Sequence, residues 1–171
     1  MSLIHPYYQA NYNFCPRCGA KFLAKETPLQ CQNCGFEVYA NPAPTSAVII
    51  EHNGKILLAI RKNDPQKGTW DTPGGFIEPD ESLEESVIRE VKEETGLTVK
   101  VIGYIASAPC DYDQKPTLTI GVYAQIVSGT MKPADDVASL HWVSLDEIPD
   151  NIGFDSVRMV IEKFKTQQKN K

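Results

Sequence analysis

The residues best suited to chemistry lie in the glycine-bounded stretch from Gly75 to Leu97: Arg89 and four of its carboxylates, Glu81, Glu90, Glu93 and Glu94. Glu90 and Glu94 are four apart, as are Arg89 and Glu93, so each pair shares a side of a helix. Like charges stacked this way cost stability unless positive charge sits among them. Arg89 offsets part of that repulsion, and one or more divalent cations would offset the rest. Carboxylates with no thiol or imidazole beside them suit hard, oxygen-seeking Mg2+ or Mn2+ rather than zinc. The alternative is an exposed, charged surface helix, which is what most Glu-rich segments are.

Cysteines supply a second constellation. Cys15-Pro-Arg-Cys18 and Cys31-Gln-Asn-Cys34 are two Cys-x-x-Cys knuckles separated by twelve residues, each followed by glycine. The two-residue gap turns both sulfurs of a knuckle toward one tetrahedral ion, which is four-thiolate zinc-ribbon spacing. Four protein ligands leave no open position, so a Zn2+ held there is expected to be structural. Two disulfides in a secreted protein are one alternative. A redox Cys-x-x-Cys is another, but it explains one knuckle and not a matched pair. Cys110 is left over and reads as a small, partly buried apolar residue.

Composition narrows the function classes. With 171 residues, 42% of them hydrophobic, the chain suits one ordinary domain plus a small appendage. A net charge of −5 argues against nucleic-acid binding through a basic surface, and Arg17, Lys21 and Lys25 are too few to make the cysteine segment a nucleic-acid reader. An acidic protein acting on an acidic substrate needs a cationic intermediary, which again points to metal. Met1-Ser-Leu-Ile-His-Pro-Tyr-Tyr lacks a basic start followed by an apolar run, so no signal peptide is expected. Apolar runs such as Ala47–Ile50 are far too short to span a membrane. The expectation is a soluble, cytoplasmic protein.

The elements that must position these residues fall into two parts. Residues 1–40 form the ribbon, too short for a core without its metal. Residues 41–171 form the larger domain, entered through Asn41-Pro42-Ala43-Pro44, which reads as a stiff linker unable to continue a central strand. Ser46–Glu51 and Lys55–Arg61 read as a hairpin around Asn53-Gly54. A short strand at Thr69–Pro73 leads into Gly74-Gly75. A capping box at Ser82–Glu85 starts a helix over Leu83–Thr95, and Gly96 stops it. Leu83, Val87 and Val91 should face the core. Thr98–Ile105 and Thr117–Val127 read as strands around a polar loop at 107–116. Leu140–Val143 reads as a strand, 144–149 as a turn with a short helix, and Asp155–Lys165 as an amphipathic helix with a frayed tail from Thr166.

The box also carries a resemblance. Gly-x5-Glu-x7-Arg-Glu-(aliphatic)-x-Glu-Glu-x-Gly-(aliphatic) is filled at all nine specified positions, from Gly75 to Leu97. The chain resembles a Nudix hydrolase, which implies an α+β fold: an α/β/α sandwich with a mixed sheet. The resemblance implies cleavage of the pyrophosphate of a nucleoside diphosphate linked to another group, with Mg2+ or Mn2+. It makes Glu90 and Glu94 the leading metal ligands, with Glu93 a third and the Gly74 carbonyl a contributor. Arg89 would orient the glutamates, and Glu81 would support Arg89; an exposed acid near the helix start is the alternative for Glu81. A further acid outside the box is expected in the segment before Val137, and Asp136 is the candidate; an exposed acidic turn is the alternative. His141 reads as a strand residue, and His5 and His52 have no partner visible in sequence.

A zinc ribbon joined to such a domain resembles the NADH pyrophosphatases, which carry Ser-Gln-Pro-Trp-Pro-Phe-Pro-x-Ser after the box. Here that stretch is Ser107-Ala-Pro-Cys-Asp-Tyr112-Asp-Gln-Lys115, keeping the first Ser and Pro but neither the tryptophan nor the phenylalanine. Ser107 and Tyr112 are the candidate substrate contacts. Three readings follow: a hydrolase of NADH, ADP-ribose, FAD or sugar nucleotides; a housecleaning enzyme for nucleoside triphosphates or capped RNA ends; and a non-catalytic nucleotide sensor. The ribbon is expected to pack on the enzyme domain or support a homodimer.

Overall fold

A computed structural model describes residues 4–23 and 26–169. The chain divides into two compact units, residues up to 42 with 111–116, and 43–110 with 117 onward.

The smaller unit has little regular structure: α1 (Pro6–Asn11) and a two-stranded antiparallel sheet of β1 (Leu29–Gln30) and β2 (Glu37–Val38). Its apolar cluster contains Ile4, Tyr8, Phe22 and Leu29 beside Cys15 and Cys31. α1 begins at Pro6, where a missing N–H costs nothing, and His5 accepts a hydrogen bond from Tyr7 N at 3.3 Å. The His5 ring also lies 3.5 Å from Asp111, a partner the sequence did not reveal.

The larger unit is a six-stranded mixed sheet. Its elements are β3 (Ala43–His52), β4 (Lys55–Arg61), β5 (Trp70–Asp71), α2 (Leu83–Thr95), β6 (Leu97–Tyr112), β7 (Lys115–Gly129), β8 (Val137–Ser144) and α3 (Asp155–Lys169). The strand order is β5-β4-β3-β7-β6, with β8 also paired to β4. β3 and β7 run parallel, whereas β4 is antiparallel to β3, β5 and β8. Period-two alternation supplies both faces of the sheet. Val48, Ile50, Leu57 and Ala59 pack with Val87 and Val91 of α2. Ala47, Ile49, Ile56 and Leu58 pack with Val157, Val160, Ile161 and Phe164 of α3. The expected α/β/α sandwich is therefore present. Among the described residues, no helix is long and apolar enough to cross a membrane.

Four local expectations need correction. Ala43-Pro44 is the start of β3 rather than linker, in register with Thr117 and Leu118. Proline is tolerated because Pro44 faces the 73–77 segment, where its carbonyl accepts from Ile77 N at 3.1 Å. The stretch 107–116 is a hairpin, not a loop: β6 runs to Tyr112, and Asp113 and Gln114 turn the chain at φ 48° and 67°. Its polar residues are the exposed side of a strand, alternating with buried Ala108. Residues 144–149 contain turns without a helix. The tail is helical to Lys169, and only Asn170 and Lys171 lie outside the described residues, as does Lys25.

Candidate active site

Helix α2 is fixed at both ends. At its start Ser82 Oγ accepts from Glu85 N (3.2 Å) while Glu85 Oε2 accepts from Ser82 N (2.8 Å). At its end Gly96 adopts φ 72° and donates to Lys92 O. Val87 and Val91, fully buried, set the rotation of the helix and thereby aim Glu90 and Glu94.

Arg89 gathers three of the acids. Its Nε and Nη2 grip Glu81 at 3.0 and 2.6 Å, and Nη1 reaches Glu90 Oε1 at 2.8 Å and Glu93 Oε2 at 3.2 Å. Nη2 also donates to Phe76 O. These charge-assisted bonds hold the Glu81 carboxyl down to about 2 and push the guanidinium further up. The structure thus pairs Glu81 with Arg89 instead of leaving it exposed.

Glu94 is oriented differently. Its carboxyl is buried, and Oε2 accepts from Gly74 N at 2.9 Å. Gly74 arrives there because β4 departs from β3 after Glu51↔Ile56 and His52↔Lys55. The vacated edge of β3 is taken by 73–77, with Val48 N donating to Pro73 O and Ser46 N to Gly75 O, both 2.8 Å. The approach is close enough to require glycine at 74, and a Cβ at 75 would push the Glu90 carboxyl aside. A Cβ at Gly74 would sit 2.3 Å from Ser46 O, on a backbone at φ 138°; one at Gly75 would sit 2.6 Å from Glu90 Oε1.

Asp136 comes from the far end of the unit. The segment after β7 is tied to the C-terminal carbonyls of α2, with Lys132 N donating to Thr95 O (2.8 Å) and Ala134 N to Glu94 O (3.0 Å). Asp136 O then accepts from Lys62 N at 2.7 Å. Half-buried Asp136 faces Glu94 and Glu90. Burial raises the Glu94 carboxyl well above the usual range, the Gly74 N–H opposes this, and the charges of Asp136 and Glu90 add to the rise. Burial also raises Glu90, against the pull of Arg89.

Glu90, Glu94 and Asp136 are thus neighbouring carboxyl groups with oxygen-only donors, a set that fits a hard divalent cation. Their oxygens do not converge as the sulfurs do. Among the described residues the four cysteines are the group whose ligand atoms all lie within 4.8 Å of one another, whereas Glu93 is turned to Arg89 and Glu94 to Gly74.

In the smaller unit, Cys15 Sγ lies 3.7 Å from Cys34 Sγ, and Cys18 Sγ 3.6 Å from Cys31 Sγ. Four thiolates about 2.3 Å from zinc would be about 3.8 Å apart, so the cluster fits zinc; a disulfide needs about 2.05 Å. The knuckles are one turn made twice, with Gly19 N donating to Cys15 O and Gly35 N to Cys31 O, each 2.9 Å. All five cysteines are free thiols.

Ser107 and Tyr112 both lie on β6. The Ser107 hydroxyl is hydrogen-bonded to Tyr104 Oη at 3.1 Å, and Tyr112 belongs to the hairpin tip grouped with the smaller unit. His141 is a strand residue beside Ser139 Oγ (2.9 Å) and the Trp70 ring (5.2 Å between centroids). Sequence reasoning passed over Arg61 and Asp71, a buried pair at 3.0 Å. An acid immediately before Thr-Pro-Gly-Gly was the available signal.

The model of the NUDIX domain family matches residues 41–162, more than half of the chain. The chain belongs to the NUDIX family. This NUDIX chain is 35% identical over 139 residues to the NAD-capped RNA hydrolase NudC of Pseudomonas aeruginosa, covering 80% of this chain and 49% of that one. It spans about half the length of the NudC relatives it matches. It is 36% identical over 127 residues to the ADP-ribose pyrophosphatase of Methanocaldococcus jannaschii, covering 73% of this chain and 75% of that protein. A NUDIX hydrolase crystal structure from Nitrosomonas europaea shares the fold, with TM-score 0.78 over 92% of this chain and 93% of that one at 22% identity.

Proposed function

We propose that this NUDIX chain is a divalent-metal-dependent pyrophosphohydrolase acting on a nucleoside diphosphate linked to a second group. The observation that supports it best is the buried Glu94 carboxyl held between a backbone N–H and two further acids, Glu90 and Asp136. A cluster of that charge is suited to a metal and a phosphate chain, and poorly suited to a surface helix. The bound cation would neutralise phosphate oxygens and lower the pKa of a water molecule.

The residues have separate tasks in this reading. Glu90, Glu94 and Glu93, with the Gly74 carbonyl, would hold Mg2+ or Mn2+. Arg89 holds the orientation of Glu90 and Glu93, and Glu81 holds Arg89. Asp136, on the loop facing the helix, takes the proton of the attacking water or completes the metal site. Residues 1–40 form a ribbon around a structural Zn2+ and 41–171 the hydrolase domain, in keeping with the cysteine spacing and the family match over 41–162. The protein is read as cytoplasmic.

NAD contains an ADP-ribose moiety, so the names of both relatives point to an ADP-ribosyl diphosphate as the shared substrate element. The second reading, hydrolysis of a capped RNA end, is favoured by the NudC name. A panel of NADH, NAD, ADP-ribose, FAD, sugar nucleotides, nucleoside triphosphates and NAD-capped RNA, assayed with Mg2+ or Mn2+ for mononucleotide release, distinguishes them. Turnover of none of these rejects the hydrolase.

A further inference from the structure

A buried ion pair stands apart from the box. Arg61 Nη1 lies 3.0 Å from Asp71 Oδ2, with the two side chains 11% and 12% exposed. Both carboxylate oxygens are engaged, because Asp71 Oδ1 accepts from Thr72 N at 2.8 Å. Arg61 also donates through Nε to Pro65 O at 2.9 Å and lies over the Phe154 ring at 5.1 Å. A buried pair of this kind is a poor stabiliser compared with apolar side chains of the same volume. Its position gives it another use.

The pair sits where the two arms of the carboxylate site meet. On one arm, the pairing of β4 with β8 shifts register at Arg61, from Ile60↔Ser139 to Arg61↔Val137, so Ala138 is bulged. Bulges re-aim the neighbouring side chains. The next residue, Lys62, donates its N–H to Asp136 O. On the other arm, Asp71 begins the run Thr72-Pro73-Gly74, and the Gly74 N–H holds Glu94. The ion pair therefore ties the end of β4, whose next residue holds Asp136, to the end of β5, from which the chain runs on to the glycine under Glu94.

We propose that Arg61 and Asp71 are positioning residues that fix the spacing of Asp136 and Glu94, and through it the oxygen-donor set of the metal site. This rests on the hydrolase reading above for its consequence in turnover, but its effect on metal binding can be read without turnover. The test is the full chain with Arg61→Met and Asp71→Leu together, which removes both charges and keeps the volume filled. The fold is expected to hold, with Tm close to that of the unaltered protein. Mn2+ affinity, measured by electron paramagnetic resonance, should fall about tenfold or more, and kcat by about ten- to a hundredfold with KM changed less.

Unaltered Mn2+ affinity and kcat in the folded double variant overturn the proposal. If that variant does not fold, Asp71→Asn decides, because it keeps the shape and the Thr72 acceptor but loses the charge-assisted bond. Weakened Mn2+ binding in this variant supports the pair, and unchanged binding overturns it. An unaltered protein that binds Mn2+ yet turns over no substrate defeats the hydrolase reading alone, and the Mn2+ comparison still decides the pair.

Discussion

The cysteine cluster and the carboxylate group are both suited to metal, yet they are assembled in opposite ways. Each knuckle is a local turn: two sulfurs and a glycine within five residues, with the same backbone bond closing both. Only one long-range step, bringing Cys15–Cys18 beside Cys31–Cys34, completes the group. The carboxylate group needs many more. Helix α2 supplies Glu90 and Glu94, the strand edge vacated by β4 supplies Gly74, and a loop about forty residues beyond supplies Asp136. Soft ligands on a tight turn form a closed site that favours structure. Hard ligands drawn from separate segments form a site whose geometry each segment can tune.

The contrast can be broken most severely at Glu94. Glu94→Gln should lower kcat/KM by about a thousandfold, equivalent to about 4 kcal/mol of transition-state stabilisation, in steady-state assays on the best substrate of the panel. Full activity in that variant would reject the metal role of the box. Arg89→Lys should cost less, about ten- to a hundredfold in kcat, because an ammonium cannot serve Glu81, Glu90 and Glu93 in one fork. A variant with wild-type kcat would make Arg89 a surface charge.

On the cysteine side, Cys18→Ser should abolish binding of about one zinc per chain, measured by native mass spectrometry. Hydrogen exchange should then show lost protection in residues 4–42 while β3 and β4 remain protected, since Ile49, Ile50, Leu57 and Leu58 have their own core. Loss of protection throughout the chain would show that the two regions are less separate than their chemistry. Gly121→Ala, packed against α3, should lower stability by about 1–3 kcal/mol, because its Cβ would lie 2.5 Å from Val160. Kinetic constants should not move.

The smallest effect is in pH dependence. Burial pushes Asp71 up to about 6 and raises Glu94, so their contributions favour folding below the ordinary carboxylate pKa and are lost as pH rises through the folded values. Glu81, held down to about 2, behaves oppositely: its contribution is present above the ordinary value near 4.5 and lost as pH falls toward 2. The Tm of metal-free protein should therefore rise modestly from pH 7 to about 5 and fall below about 4. Added Mg2+ should flatten the upper limb by binding the ionised form of Glu94. A Tm that climbs steadily from pH 5 to 7 without metal contradicts this.

Much of this was legible in the chain. The capping box at Ser82–Glu85, the Gly96 stop and the hairpin at Asn53-Gly54 are short-range features, and all three stand where spacing placed them. The 107–116 stretch misled because polar residues on the exposed side of an edge strand look like a loop. Ala43-Pro44 misled because proline is tolerated where its missing N–H lies on the side of the 73–77 segment, away from the β7 ladder. Arg61 and Asp71 left almost no trace, since a buried ion pair between neighbouring strands has no sequence period.

By itself the sequence determined the ligand chemistry: four thiolates in two knuckles, and a helix whose acids run beside a stripe of core-facing valines. These depend on contacts within a turn or two of the chain. Only the tertiary structure decided how the acids are used. It buried Glu94 against Gly74, closed Arg89 on Glu81, and brought Asp136 across from a distant loop. Those outcomes depend on which strand occupies the edge that β4 leaves open, a competition among distant segments that no local spacing records.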